Sequence, residues 1–440
     1  MHYRDRALWA LASLVCVLLL VAPALWNGFP LLQYDTGGYL ARWYEGYLVP
    51  SRAVVYGLIL HAGAWLDFWP VVGLQAALTV WVVALTLRVH GLGRPLILIG
   101  VTALLTLATT LPWLTAILLT DIFAGLGVLA LYLLVMRADA LSRLERAALI
   151  VLIAVAAATH SATLAVLLAL VLVIALIWLL ERQRIAFARL RDGVLALSLG
   201  AVMVLAANFT VTGRLAWTPG GFALSFGRML QDGIVKRYLD DHCPDPRLRL
   251  CADKDRLPAD ADEFFWGSEL FDRLGRFAGL GKEMTAIALD SIVAYPGLQI
   301  ETAAVATARQ LLAVHTGEGV LNIIWHSYRI IERFTPWAAP AMRAARQQRG
   351  ELGFETINLL HWPIGLLSMA LLPAIVLLAR RQSLADIREF AAVAAVAILA
   401  NAAVCGVLSN PHDRYGARLV WIASLAVLIA LMRAWRPAPP

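Results

Sequence analysis

Residues 147–180 read AALIVLIAVAAATHSATLAVLLALVLVIALIWLL. The run is roughly 34 residues long, too many for one helix across a hydrocarbon core of ~30 Å. Thr159, His160 and Ser161 stand near its middle. The run therefore divides there into two membrane-crossing helices with His160 at the apex. Backbone polar groups in lipid must be satisfied within the segment, so helices are the natural form for such stretches.

Working outward, further apolar stretches cover residues 7–25, 71–87, 96–111, 122–136, 194–208, 357–379, 390–408 and 419–432. With the divided run, the sequence predicts an all-α polytopic membrane protein of about ten transmembrane helices. Residues 7–25 follow a basic start, as in a signal peptide, but the run is long enough to span and is read as a retained first helix. Composition agrees: 60% of the 440 residues are hydrophobic. A soluble domain has about 45–50%. Mean hydropathy is +0.73.

The net charge of +7 sits in short clusters between apolar runs. That placement fits membrane topology and gives no support to nucleic-acid binding. Arg4 and Arg6, Arg88 and Arg94, and Arg137, Arg143 and Arg146 fall on one side of the alternating spans. So do Arg182, Arg184, Arg189 and Arg191, then Arg380, Arg381 and Arg388, then Arg433 and Arg436. The positive-inside rule makes that side the cytoplasm, with both termini inside. A bacterial inner membrane is the expected location. The periplasmic side then holds residues 27–70, 112–121, the His160 apex, 210–355 and 409–418. Three regions follow: a transmembrane module over 1–209, an exoplasmic and interfacial helical region over 210–356, and a second transmembrane module over 357–440.

Within the middle region, 222–239 and 283–293 show helical spacing, 298–314 is fairly apolar, and 240–262 reads as a polar loop. Cys243 and Cys251 lie in that loop, where an oxidising compartment favours a disulfide. Cys16 and Cys405 fall in apolar spans and read as packing residues. No internal repeat is evident, so an inverted-repeat transporter gains no support.

The densest chemical signal is QYDTGGY at residues 33–39. Asp35 could act as general base for an incoming hydroxyl or hold a divalent metal, and the two glycines admit close approach of a ligand. The simpler reading is that Asp35 caps a surface helix. Tyr39 and Arg52 belong to the same loop, and 53–66, with Tyr56 and His61, reads as an interfacial helix. Asp121 opens a later span as either a cap or a second carboxylate of the site. His160 is an ionisable group at membrane depth, either functional or a hydrogen-bonded packing residue. NPHDRYGAR at 410–418 carries His412, Asp413, Arg414 and Arg418, which could grip a phosphate or form an ordinary solvated loop. The topology brings all these residues to one membrane face.

An acidic residue in the first exoplasmic loop, two interfacial helices after it and an acidic residue opening a later span resemble the GT-C superfamily of integral-membrane glycosyltransferases. That superfamily includes the protein O-mannosyltransferases, the oligosaccharyltransferases and the aminoarabinose transferase of lipid A. The resemblance covers the chain to about Asn208. It implies that Asp35 acts as base or metal ligand and that the donor is a polyprenyl-phosphate sugar. Residues 226–251, with DGIVKRYLDDHC, also resemble a group of proteobacterial membrane proteins without a known activity. The chain departs from the superfamily pattern in two respects: no second carboxylate follows Asp35 until Glu45, and no tryptophan-rich acceptor motif of the oligosaccharyltransferase type is present. The expected reaction is inverting sugar transfer, with Asp35 and Asp121 catalytic and Tyr39, Arg52, His160, His412, Asp413, Arg414 and Arg418 binding substrate. A glycolipid transporter and a non-catalytic envelope scaffold are the alternatives.

Overall fold

The computed structural model describes residues 3–48, 52–182, 186–218, 221–379 and 384–434. Arg184, Arg380, Arg381, Arg436 and both chain ends lie outside the described residues, as does the side chain of Arg4. Apart from one bridge between Leu31 and Ile117, the described residues form helices, turns and loops.

Seven helices among the described residues are long and apolar enough to cross a membrane: Asp5–Asn27, Trp69–Val89, Ser161–Leu180, Phe187–Thr212, Phe354–Leu378, Ala385–Leu408 and Asp413–Ala434. They make the chain a helical multi-pass membrane protein. Three more segments expected as spans form the shorter helices Pro95–Ala108, Asp121–Met136 and Arg143–Thr159. At 1.5 Å per residue these reach only about 21 to 26 Å. The divided run breaks where the sequence places the break. His160 is a single extended residue between Arg143–Thr159 and Ser161–Leu180.

Helix Asp121–Met136 is the axle of the bundle, with residues 121 to 135 all buried. It can be buried on every side because it carries glycines where neighbours press closest. A Cβ on Gly125 would lie 2.6 Å from the Trp421 ring. The same device appears at Gly200, where a Cβ would lie 2.7 Å from Ala157. Small residues let apolar helices approach closely in lipid, where dispersion and shape fit must hold them together.

Arg88, Arg137, Arg189 and Arg433, one from each of four basic clusters, meet at one end of the bundle. Arg88 pairs with Glu145 at 2.7 Å, Arg137 with Glu389 at 2.7 Å, Arg189 with Asp139 at 2.6 Å and Arg433 with Asp386 at 2.9 Å. At the other end, helices Tyr34–Glu45 and Val54–Gly63 pack on each other, and Trp325–Phe334 packs on the first of them.

The middle region contains a compact unit with its own core, built from Phe226, Leu239, Phe264, Phe271 and Ile287 among others. The expected helix over 222–239 is two helices, Ala223–Gln231 and Ile234–His242, because Gly233 turns left-handed at φ 77° between them. The sulfurs of Cys243 and Cys251 are 2.05 Å apart, a disulfide that ties the following loop to this unit. Cys16 and Cys405 are buried and free.

Candidate functional site

The site begins with helix Tyr34–Glu45. Its cap is Gln33, not Asp35. The Gln33 side chain accepts from the Asp35 N–H at 2.7 Å, and Thr36 Oγ1 accepts from the Gln33 N–H at 3.0 Å. This reciprocal capping box satisfies the helix terminus and leaves the Asp35 carboxylate free for other partners. The glycines after Asp35 admit the protein's own chain. A Cβ on Gly37 would lie 2.6 Å from the Ser327 Cα, and the Gly37 N–H donates to Ser327 Oγ at 3.1 Å. Ser327 in turn donates to the Gln33 and Tyr34 carbonyls.

Asp35 is 7% exposed and held by two guanidiniums. Arg52 bonds to Oδ1, and Arg414 donates to Oδ2 at 2.7 Å. Burial pushes the Asp35 pKa up, but the charges of Arg52 and Arg414 outweigh it, so the net direction is down. Tyr39 is fully buried with its ring under Arg52, 5.9 Å from the guanidinium carbon, and so props that arginine.

Asp121 stands deeper, 2% exposed, in the first turn of its helix. It does not act as a cap. Its nearest cations are Arg414 Nε and Arg418 Nη1, each at 3.9 Å. Among the described residues, Asp121 Oδ1 and Arg414 Nε have no hydrogen-bond partner. Both line a cleft whose other walls include Leu31, Trp113, Val320 and Phe354, with Glu318 at its polar edge. Buried polar atoms are nearly always satisfied, so two orphans on residues that line one cleft make it the candidate binding place.

Arg418 is fully buried. Its Nε and Nη2 donate to Asn401 Oδ1 at 2.9 and 2.6 Å, and its Nη1 is 3.5 Å from His160 Nδ1. The helix break places His160 there. His412 and Asp413 lie to the side. His412 Nδ1 is 2.6 Å from Glu318 Oε1, and its Nε2 is 3.4 Å from Asp262. Burial opposes charging His412, but the hydrogen bond and charge of Glu318, with Asp262 beyond, raise its pKa. Asp413 accepts from the His315 backbone and pairs with its ring, both at 2.8 Å, and His315 lines the same cleft as Asp121.

Asp35, Arg52, Asp121, His160, Arg414 and Arg418 thus form one buried cluster drawn from four stretches of chain. His412 is joined to it through Glu318, which also accepts from the Arg414 N–H at 2.7 Å. Glu318, Asn401 and Ser327 are members the sequence reading missed. Each is a lone polar residue with no motif around it. Among the described residues, no three His, Cys, Asp or Glu side chains converge to hold a metal ion. Both Asp35 oxygens are already taken by arginines. A divalent metal at Asp35, one of the roles open to that residue in the sequence, does not fit these residues.

A second buried cluster occupies the basic end. Tyr132 lies 3.1 Å from His90 Nε2, accepts from Arg137 Nε at 2.9 Å, and Arg137 continues to Glu389. The sequence marks neither His90 nor Tyr132, because neither belongs to a motif.

Fold and cluster together define a helical multi-pass membrane protein with a buried ionic site at one end of its bundle. No protein-family model matches the chain, and no curated protein or solved structure matches it either.

Proposed function

We propose that the protein is a membrane glycosyltransferase that moves a sugar from a polyprenyl-phosphate donor to an acceptor hydroxyl, with the site facing the periplasm of a bacterial inner membrane. The observation that carries this reading is the buried pairing of Asp35 with Arg52 and Arg414 beside an Asp121 oxygen that nothing satisfies. Guanidiniums suit a phosphate because they offer paired donors and keep their charge when buried.

The donor enters laterally from the bilayer, and its phosphate engages Arg52 and the unsatisfied side of Arg414. Asp35 holds both guanidiniums in position. Its lowered pKa makes it a weak proton acceptor. That role falls to Asp121, which is beside the cleft and free of hydrogen bonds. As the acceptor oxygen bonds to the anomeric carbon, its proton passes to Asp121. The carbon–oxygen bond to phosphate breaks, its electron pair stays on the phosphate, and Arg52 and Arg414 stabilise the developing charge. One displacement inverts the anomeric carbon.

A second reading, a glycolipid transporter, draws on the polar cluster at the basic end. His90, Tyr132 and Arg137 bond to one another there, and the fully packed helix Asp121–Met136 stands between the two clusters. That packing favours a closed structural device over a gate.

The test is incubation of the purified protein with a panel of labelled polyprenyl-phosphate sugars. Consumption of one donor, lost in Asp121→Asn while donor binding persists, is the expected result. Absence of binding and turnover across the panel overturns the transferase reading.

A further inference from the structure

Away from the ionic site, helices Ser161–Leu180 and Phe354–Leu378 each pack on helix Ala385–Leu408. Only 33% and 22% of their most apolar windows are covered by protein. Toward the basic end, a groove opens among the three. Leu170, Ile174 and Ile177 form one wall, Val376 stands on the other, and Ala392, Val393 and Val396 form the floor. The floor is low because its side chains are small and the neighbouring helices carry longer ones.

The mouth of the groove carries Arg388 and Glu389. Glu389 is neutralised by Arg137 at 2.7 Å. Arg388 is half-buried, and nothing among the described residues pairs with it. The groove thus has an apolar trough and, among the described residues that line it, a single uncompensated cation at its mouth. Arg433, Arg88 and Arg189 at that same end are all paired with carboxylates.

We propose that this groove binds one anionic phospholipid, with an acyl chain along Ile174, Val393 and Val396 and the headgroup phosphate on Arg388. Basic pockets between transmembrane helices attract anionic headgroups, and each surface cation adds to the attraction. The site is separate from the ionic cluster and does not depend on the transferase reading.

Native mass spectrometry of the full chain in detergent tests it, with dioleoyl phosphatidylglycerol compared against dioleoyl phosphatidylcholine. The wild type should retain one phosphatidylglycerol about fivefold more tightly than phosphatidylcholine, the size of one net surface charge, since both lipids offer the same phosphate to Arg388. Arg388→Gln should abolish that preference, and Val393→Trp, which fills the trough, should weaken both lipids. Arg388→Gln changes a polar position at the mouth, so the protein should stay monodisperse even if the tryptophan variant does not. Equal retention of the two lipids by the wild type, or a preference unchanged in Arg388→Gln, overturns the proposal.

Discussion

The two buried polar clusters of this protein are made of similar residues and behave differently. At the basic end, Tyr132, His90, Arg137 and Glu389 form a chain in which each group finds a partner at 2.7 to 3.1 Å. At the other end, Asp121 and Arg414 stand 3.9 Å apart, each with an atom that bonds to nothing among the described residues. A satisfied network rigidifies a fold. An unsatisfied one costs stability and persists where binding or chemistry uses it. That difference makes the first cluster a structural clamp and the second the candidate site.

The sharpest way to break that contrast is to exchange charge for shape at the two carboxylates. Asp121→Asn should lower turnover about 10²- to 10⁴-fold, the usual contribution of a positioned base, while leaving the unfolding midpoint nearly unchanged. Asp35→Asn should show the converse weighting, with a clear loss of thermal stability in detergent. Equal stability losses in both variants would mean that the two carboxylates do the same job.

Next in size is Arg414→Met. It leaves Asp35 with Arg52 alone and removes one cation from Asp121, so stability should fall by about 3–5 kcal/mol. Chemical denaturation in mixed micelles measures this, and a loss under 1 kcal/mol would contradict a buried, interdependent pair. At the opposite end, Arg137→Leu should cost about 1–3 kcal/mol through the bonds that Tyr132 and Glu389 lose, with donor turnover per folded molecule unchanged. A fall in that turnover would join the basic-end cluster to the chemistry.

The smallest effect should come from His412. Its pKa is raised in the folded chain above the ordinary 6.5, chiefly by Glu318 acting against burial. Its stabilisation is therefore fully present below about pH 6.5 and is lost as pH rises through the folded value. Glu318 is shifted down from 4.5; burial pushes it up, but the His412 hydrogen bond outweighs that, so its contribution fades on acidification. Stability against pH should thus crest between these values, and His412→Gln should flatten the alkaline flank. An unchanged flank would show that the His412 bridge is incidental.

Much of the site was legible because its residues break an apolar background. Asp35, Asp121, His160, Arg414 and Arg418 are conspicuous in a chain this hydrophobic, and alternating spans place them at one face. What escaped was of two kinds. Glu318 and Asn401 lie in stretches with no distinguishing spacing, and their importance comes from what folds against them. The role of Asp35 also changed, since Gln33 caps its helix and the two arginines that clamp it come from 17 and 379 residues away.

The sequence by itself determined that this is a helical membrane protein, where the long apolar run breaks at His160, and which charged residues share an end. Those features follow from transfer free energy and helix length, which are properties of local stretches. Only the tertiary structure decided which carboxylate is clamped and which is left unsatisfied, that three apolar helices stop short of a full span, and that a closed polar network sits at the basic end. Those outcomes depend on distances of a few ångströms between distant segments, and hydrogen bonds and ion pairs are decided at that scale.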